Sequence, residues 1–375
     1  MAGDWRFLAF DLRTQVFLTE LEVADWQSTE PLVGAGSWSA TLRLDGAAKT
    51  STTLRRTTVA DATRRGRTLV VAERDGAPVY TGILWDRRYS ARDRLLRVAG
   101  AGLKSYFDHF PVTAPLGPYT AVDQFSIFRA FVTAVQSAPA GDIGIVVDAQ
   151  NSGVLRDRPL YPAFSGKTLG ELMADLASVQ NGFEWTVAVE YNAGVPERRL
   201  RLFYPRRGRD QTLTGLRFDA PGNAILFDVD EPGHDMAVTV VALGAGDGAD
   251  MLLTTASRTD LIDAGWPGYA AIRSWKDVTV LTTLASHAGA AVDRLSGVDQ
   301  EDFTVQVDPT SVGQPFGAWT LGDDCVLGVA DDPFYPAQDD GTPGLVSYRR
   351  VVQHSWKVTA SSEELMVTLG RKVIP

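Results

Sequence analysis

The sequence predicts a mainly β protein with α+β insertions: two similar small β-barrel domains in one chain, plus two smaller inserted domains. Three observations predict it. From Thr68 to Gly102, apolar and polar residues alternate on either side of the two-residue turn signal Asp75-Gly76. A similar plan returns from about residue 325 to 372, where YRRVVQHSWKV and LMVTLG flank a turn at Thr359 to Glu364. Helical spacing of apolar residues is confined to stretches between or beyond these two regions.

In the first copy, Val79, Ile83 and Trp85 are expected on one strand face. A turn runs through Ser90 to Arg94, and Leu96 and Val98 then alternate with Arg97. In the second copy, Val352, Trp356 and Val358 are expected on one face, with Leu365, Val367 and Leu369 inward on the return. Before the first copy, WRFLAF and VFLTELEV predict a hairpin around Asp11 to Gln15. In SWSATLRL, Trp38, Ala40, Leu42 and Leu44 mark a strand with one buried face. Residues 46–67 are polar and contain Arg55, Arg56, Arg64, Arg65 and Arg67. No aromatic residue interleaves for base stacking, so these arginines fit a solvated loop paired with nearby acids.

At Leu103 the character changes. LKSYFDHF predicts a short helix, and Phe125, Phe128, Phe131, Val132 and Val135 form the apolar stripe of another. Ser165-Gly166-Lys167-Thr168 opens a helix carrying Leu169, Leu172, Met173 and Leu176. A phosphate loop would need glycine five residues before Gly166, where Tyr161 stands, so Thr168 is expected to be a helix cap. FEWTVAVEY and RRLRLFY alternate as a strand pair around a Gly-Val-Pro turn. Further on come strands from Phe218, a turn at Gly265-Trp266-Pro267, a strand at Val278 to Leu281, and a helix bearing Leu284, Ala288, Ala291 and Leu295. The expected division is a first barrel from 1–103 plus about 212–235, and an inserted α+β domain over 104–211. A second barrel takes 236–257 plus 300–375, with a small helical and β insertion at 258–299.

Composition bounds the function. The chain has 375 residues, 45% hydrophobic and 22% charged, an ordinary globular balance with room for two or three domains. Its net charge of −10 argues against a free-standing nucleic-acid binder, which needs clustered cations to displace counterions from phosphates. Cys325 is the one cysteine, so no internal disulfide forms, and its apolar surroundings fit a small buried side chain. The N-terminus lacks a signal-peptide pattern and no run approaches a membrane span, so synthesis in the cytoplasm is expected.

Catalytic and metal constellations are weak. The sequence has no GxSxG, HExxH or CxxC, and His109, His234, His287 and His354 are scattered. Asp228, Asp230, Glu231, His234 and Asp235 match no calcium loop and contain too little histidine for zinc. Gly244, Gly246 and Gly248 do not make a dinucleotide fingerprint. Asp323-Asp324, Asp331-Asp332 and Asp339-Asp340 could supply a glycosidase's two carboxylates, but acidic strand ends and loops are far commoner. No catalytic, cofactor-binding or metal residue is assigned, no cofactor is expected, and the chain is expected not to be an enzyme.

The order of features resembles the tail-tip hub proteins of bacteriophages, related to the baseplate hub of contractile tails and to the N-terminal part of siphophage tail-associated lysins. The likeness runs through GAGSWSATLRL, RDGAPVYTGILWDRRYS, SGKTLGELMADLASVQNGFEW and VTVVALGAGDG to LGDDCVL, Arg349-Arg350-Val351 and a terminal EELMVTLG. It implies a homotrimer whose two barrels per chain alternate as a pseudo-hexameric ring joining the tail tube or distal tail ring to the tip. Implied partners are the distal tail protein or tube ring, the tape measure protein and downstream tip or fibre proteins. DNA would pass through the channel unbound, past a trimer carrying about three times −10 charges. The implied location is the tail tip of the virion. A receptor- or carbohydrate-binding module, with Trp5, Trp26, Trp38, Trp266 and Trp319 as stacking candidates, is the alternative, and a wall-degrading hydrolase comes third.

Overall fold

The computed structural model describes residues 3–44, 59–179, 181–193, 195–231, 233–276, 278–297 and 301–371. Arg55 and Arg56 lie outside them. The opening sheet comprises β1 (Trp5–Asp11), β2 (Phe17–Glu20), β3 (Val23–Pro31), β4 (Ser37–Arg43), β5 (Thr68–Arg74), β6 (Ala77–Ser90) and β7 (Leu95–Gly102), with α1 (Val59–Ala62) before β5. Asp75 and Gly76 both take positive φ, 53° and 78°, as the tight β5–β6 hairpin requires. A seven-residue 3-10 turn, Leu103–His109, leads into the first insertion. There β8 (Tyr119–Asp123), α2 (Gln124–Ser137), β9 (Ile145–Val147), β10 (Leu155–Arg158), α3 (Leu169–Ala177), β11 (Glu184–Asn192), β12 (Val195–Phe203) and α4 (Gln211–Thr214) follow.

The chain then returns to strand with β13 (Arg217–Ala220) and β14 (Ala224–Asp230). A second insertion holds β15 (Thr239–Leu243), β16 (Leu253–Ser257), α5 (Thr259–Asp263), β17 (Ala270–Ser274) and α6 (Leu281–Leu295). The closing strands are β18 (Asp302–Val307), β19 (Asp324–Val329), β20 (Leu345–Thr359) and β21 (Glu363–Arg371). Residues 217–230, expected with the opening sheet, form their ladders with β18 and β19.

The two sheets share one plan. In the opening sheet the ladder order is β3-β4-β7-β6-β5-β1, and in the closing sheet it is β14-β18-β21-β20-β19-β13. Even the irregularities coincide. Leu84 pairs with Gly100 and Asp86 with Ala99, leaving Trp85 as a bulge; Val351 pairs with Leu369 and Gln353 with Thr368, leaving Val352. Likewise Ala24 bulges between Val23 and Asp25, and Ile225 between Ala224 and Leu226. Apart from a bulge at Val79 in the β5–β6 ladder that β19–β20 lacks, the registers match residue for residue: Val70 with Cys325, Ala72 with Leu327, Trp38 with Phe303, Val98 with Val367. All eight side chains lie in one buried core shared by both sheets. One difference remains in the closing strands. β1 runs antiparallel to β5, setting Phe7 opposite Ala72, whereas β13 runs parallel to β19 and sets Phe218 opposite Leu327.

The bulges correct two expectations. Val79 joins the shared core while Ile83 and Trp85 pack toward the first insertion, because bulges at Val79 and Trp85 break the simple alternation. In β20, Val351 takes the core position with Trp356 and Val358, and Val352 is the half-buried bulge. The wall formed by β1, β5 and β6 is buried on both faces. Phe7, Ala9, Val70 and Ala72 point into the shared core; Leu8, Phe10, Leu69, Val71 and Ile83 meet Phe128, Met173, Val187 and Leu202 of the insertion. Each such side chain contributes about 1.5–3 kcal/mol by leaving water, which fixes the insertion on this side.

Inside the first insertion the helical stripes of α2 and α3 are buried as their spacing predicts, and Thr168 makes a capping box with Glu171. In the second insertion, the run Val278 to Val280 is not a strand; Leu281 opens α6, and the sheet instead uses β15, β16 and β17. Val240 and Ala242 face α6 from the central strand.

Candidate assembly surface

The two sheets meet along one antiparallel seam. The second half of β20 pairs with β3, from Gln353 opposite Pro31 to Thr359 opposite Asp25, which fuses both sheets into a 13-stranded assembly. On the outer side Ser355 and Thr29 place their hydroxyls 3.1 Å apart. On the inner side Trp356 stands opposite Ser28 and packs on Phe316, and His354 Nε2 lies 3.6 Å from Glu30. Burial pushes the His354 imidazolium well below the ordinary histidine range, so it is neutral at neutral pH.

A buried ionic junction ties this seam to the first insertion. Arg350 makes a bidentate pair with Glu184, at 2.8 and 2.7 Å, and donates also to the carbonyls of Gly322 and Arg207. Asp324 receives two bonds from Arg206, and Asp323 is held by Arg209 and by the Thr320 amide. Nearby, Lys104 Nζ sits 4.8 Å from the Trp185 ring centre, and burial lowers its pKa to about 8.

Outward from the core, the fused sheet presents small polar side chains. One row crossing six strands reads Gln306, Met366, Ser355, Thr29, Ser37, Ala101. Between Gln27, Ser39 and Asp86 lies a shallow groove floored by Ala99, Gly100 and Ala101. The first insertion leaves this face uncovered, since it packs on the β1–β5–β6 wall.

The other sequence candidates are used structurally. Asp331, Asp332 and Asp340 accept turn amides from Ala337, Phe334 and Thr342, while Asp323 and Asp324 are fully buried in ion pairs, so the acidic doublets do not form one exposed pair site. His109 packs at a tilt against Trp85, and His287 stacks on Trp275. Among the described residues no three His, Cys, Asp or Glu side chains gather as a metal site. Arg64 pairs with Asp61 and Arg67 with Asp11. Trp26, Trp38 and Trp319 are core residues, Trp5 donates to Glu363, and Trp266 is exposed. Cys325 is buried.

No protein-family model and no curated protein sequence matches the chain. Solved structures do. The 43 kDa tail protein of prophage MuSo2 from Shewanella oneidensis aligns over 98% of each chain with a TM-score of 0.64 and 11% identity. The fold is that of phage tail proteins. A tail protein from Neisseria meningitidis MC58 aligns over 98% of this chain and 97% of its own, with TM-score 0.61 and 12% identity. A prophage tail protein from Listeria monocytogenes EGD-e covers 98% and 95%, with TM-score 0.51 and 12% identity. At these identities the tail-protein fold is kept by hydrophobic pattern and ladder register, with few residues held in common.

The closeness of the duplication is not visible in the strand alternation of either half alone. One signal was present: the 201-residue offset that carries β3 onto β14 also carries Glu30-Pro31 onto Glu231-Pro232 in the sequence. Different core solutions hid the rest. Trp38 fills the space over Gly82 and Gly100, whereas its counterpart Phe303 faces Arg349 and Leu369 at those places.

Proposed function

We propose that this chain is a structural hub subunit of a phage tail, without catalytic activity, forming a homotrimeric pseudo-hexameric ring around the DNA channel. The observation that carries this reading is the register-matched duplication. Two equivalent sheets per chain let three chains present six equivalent surfaces, as a junction between sixfold tube rings and a threefold tip needs. The uncovered Ser, Thr, Gln and Ala face is the surface we assign to the channel. Its middle row carries no cation to hold phosphates, the arginines and lysine of the same face (Arg43, Arg88, Arg97, Lys357) share it with Asp25, Asp86 and Glu364, and the net charge of −10 per chain repels phosphates. We assign residues 1–103 to one hub barrel and 217–230 with 301–371 to the other, with the insertions outside. The upward partner is then a distal tail or tube ring, with tape measure protein and tip or fibre proteins adjoining, at the tail tip of the virion. Cryo-electron microscopy of the tail tests this: the reading requires three copies around the axis with both sheets at equal radius. Unequal radii, or a peripheral fibre position, overturns it. The stacking alternative is not favoured, because Trp26, Trp38 and Trp319 are core residues.

A further inference from the structure

The internal seam has an unsatisfied twin. The second half of β20 is covered by β3, but its counterpart in the opening sheet, Asp86–Ser90 of β6, has no strand beside it on that side among the described residues. Similarly β14, the counterpart of β3, is the terminal strand of the fused sheet, paired with β18 alone. Each open edge carries charge at odds with its own sheet. Arg88 stands directly opposite Arg97, and Asp230 directly opposite Asp302, and like charges in those positions destabilise a ladder. Among the described residues, neither Arg88 nor Asp230 has an ion-pair partner. Tyr89 gives a third sign. It is 56% exposed, whereas Trp356, at the equivalent place in the covered seam, is 2% exposed.

We propose that β14 of one chain pairs antiparallel with the second half of β6 in a neighbouring copy, in the register of the internal seam. The matched registers then fix each contact. Ser355 opposite Thr29 becomes Arg88 opposite Asp230, and His354 opposite Glu30 becomes Arg87 opposite Glu231. Two basic residues meet two acidic ones, and the acidic cluster that suits no metal becomes one half of a subunit interface. Tyr89 moves under the incoming strand as Trp356 lies under β3. The contact is head-to-tail, so each chain offers one edge and consumes another, and the series closes when three chains have been joined. The proposal rests on the trimer reading and adds to it the surface and register.

Paired cysteines test it. Opposed strand residues have Cα atoms about 4.5–5.5 Å apart, within disulfide reach. Carrying Arg88→Cys with Asp230→Cys, the oxidised chain is expected to run as covalent dimers and trimers on a non-reducing gel. Thr29→Cys with Ser355→Cys, the internal equivalent, should give a monomeric cross-link and serves as the folding control. Arg88→Cys with Asp228→Cys, two residues out of register, should cross-link at least about tenfold less. Native mass spectrometry separates the two ideas. Trimers with no 88–230 cross-link overturn the strand pairing and leave the ring standing; an 88–230 bond within one chain overturns the pairing as well. Monomers alone, with the internal control formed, overturn the ring itself. Charge reversal is an independent readout: Arg88→Glu or Asp230→Arg alone should weaken trimerisation about tenfold or more, and the double reversal should restore it. Failure of the double variant to recover, with thermal stability unchanged, also overturns the pairing.

Discussion

Arg350 and Glu184 lie 166 residues apart and form a two-pronged ion pair, with Arg350 almost wholly buried. The pair bolts the closing sheet to the first insertion. Replacing Arg350 by Met leaves Glu184 with only the Arg207 amide and takes a donor from the Gly322 and Arg207 carbonyls. Loss of one partner of a buried pair costs about 3–5 kcal/mol. Urea unfolding of Arg350→Met should show a loss of that size; a change under about 1 kcal/mol would mean the junction is solvated.

Trp38 sets a second prediction. A methyl group added at Gly100 would fall 1.8 Å from the Ile83 carbonyl oxygen and 2.6 Å from the Trp38 ring nitrogen. The first contact is with backbone, so no rotamer relieves it. Gly100→Ala should cost more than the about 1–3 kcal/mol typical of overpacking and abolish soluble expression or lower the melting temperature sharply. Gly76→Ala meets no atom and is disfavoured only by its positive φ, so a milder loss is expected there.

His354 predicts a pH dependence. Its folded pKa is depressed by burial below the ordinary value of about 6.5, so the unfolded chain takes up the proton first as pH falls. The stability tied to the neutral imidazole is complete above about pH 6.5 and is lost as pH drops toward the folded value. Glu30, 3.6 Å away, is the carboxylate that faces it, and Arg207 opposes protonation. Denaturant midpoints measured from pH 7.5 to 5 should fall for the native chain and fall less for His354→Leu. Identical slopes would show that the imidazole titrates freely.

Glu363 acts at the other end of the closing sheet. Burial alone would raise its pKa, but bonds from Arg74, Trp5 and the Gly3 amide outweigh burial and hold it below the carboxylate range. A depressed carboxylate stabilises above its unfolded pKa of about 4.3 and loses that contribution as pH falls below it. Glu363→Gln should cost about 1.5–3 kcal/mol at pH 7, the scale for charged hydrogen bonds, and flatten the acid limb of the stability curve. Retention of the full acid limb in that variant would assign it to other carboxylates.

Much of this architecture was legible because strand alternation and helical spacing are local. Trp38, Ala40 and Leu42 announced their buried face, Asp75-Gly76 its hairpin, and Thr168 its cap. The failures share a cause: information held between distant segments. A bulge at Val79 or Val352 is created by the partner strand, so alternation within β6 or β20 alone misplaced Val79 and Val352. The membership of β13 and β14 depends on ladders to residues 302–307 and 324–329, which no neighbouring sequence reveals. Val278 to Val280 looked like a strand from β-branched content and became the lead-in to α6 because Ala245 and Trp275 took its backbone groups. As for the assembly surface, its polar face was present in the pattern, but its open edges were not. An edge is defined by what fails to pair.

Phe7 and Phe218 reach corresponding places in the shared core from strands that travel in contrary directions. Each sheet thus sets an aromatic ring at that place, Phe7 against Trp26 and Phe218 against Trp319, and the direction of the stave that carries it is immaterial. A stave's peptide groups can find partners either way, while the ring occupies the same place in the core from both. Descent among such proteins will accordingly be traced more faithfully by the volume each stave delivers than by its heading.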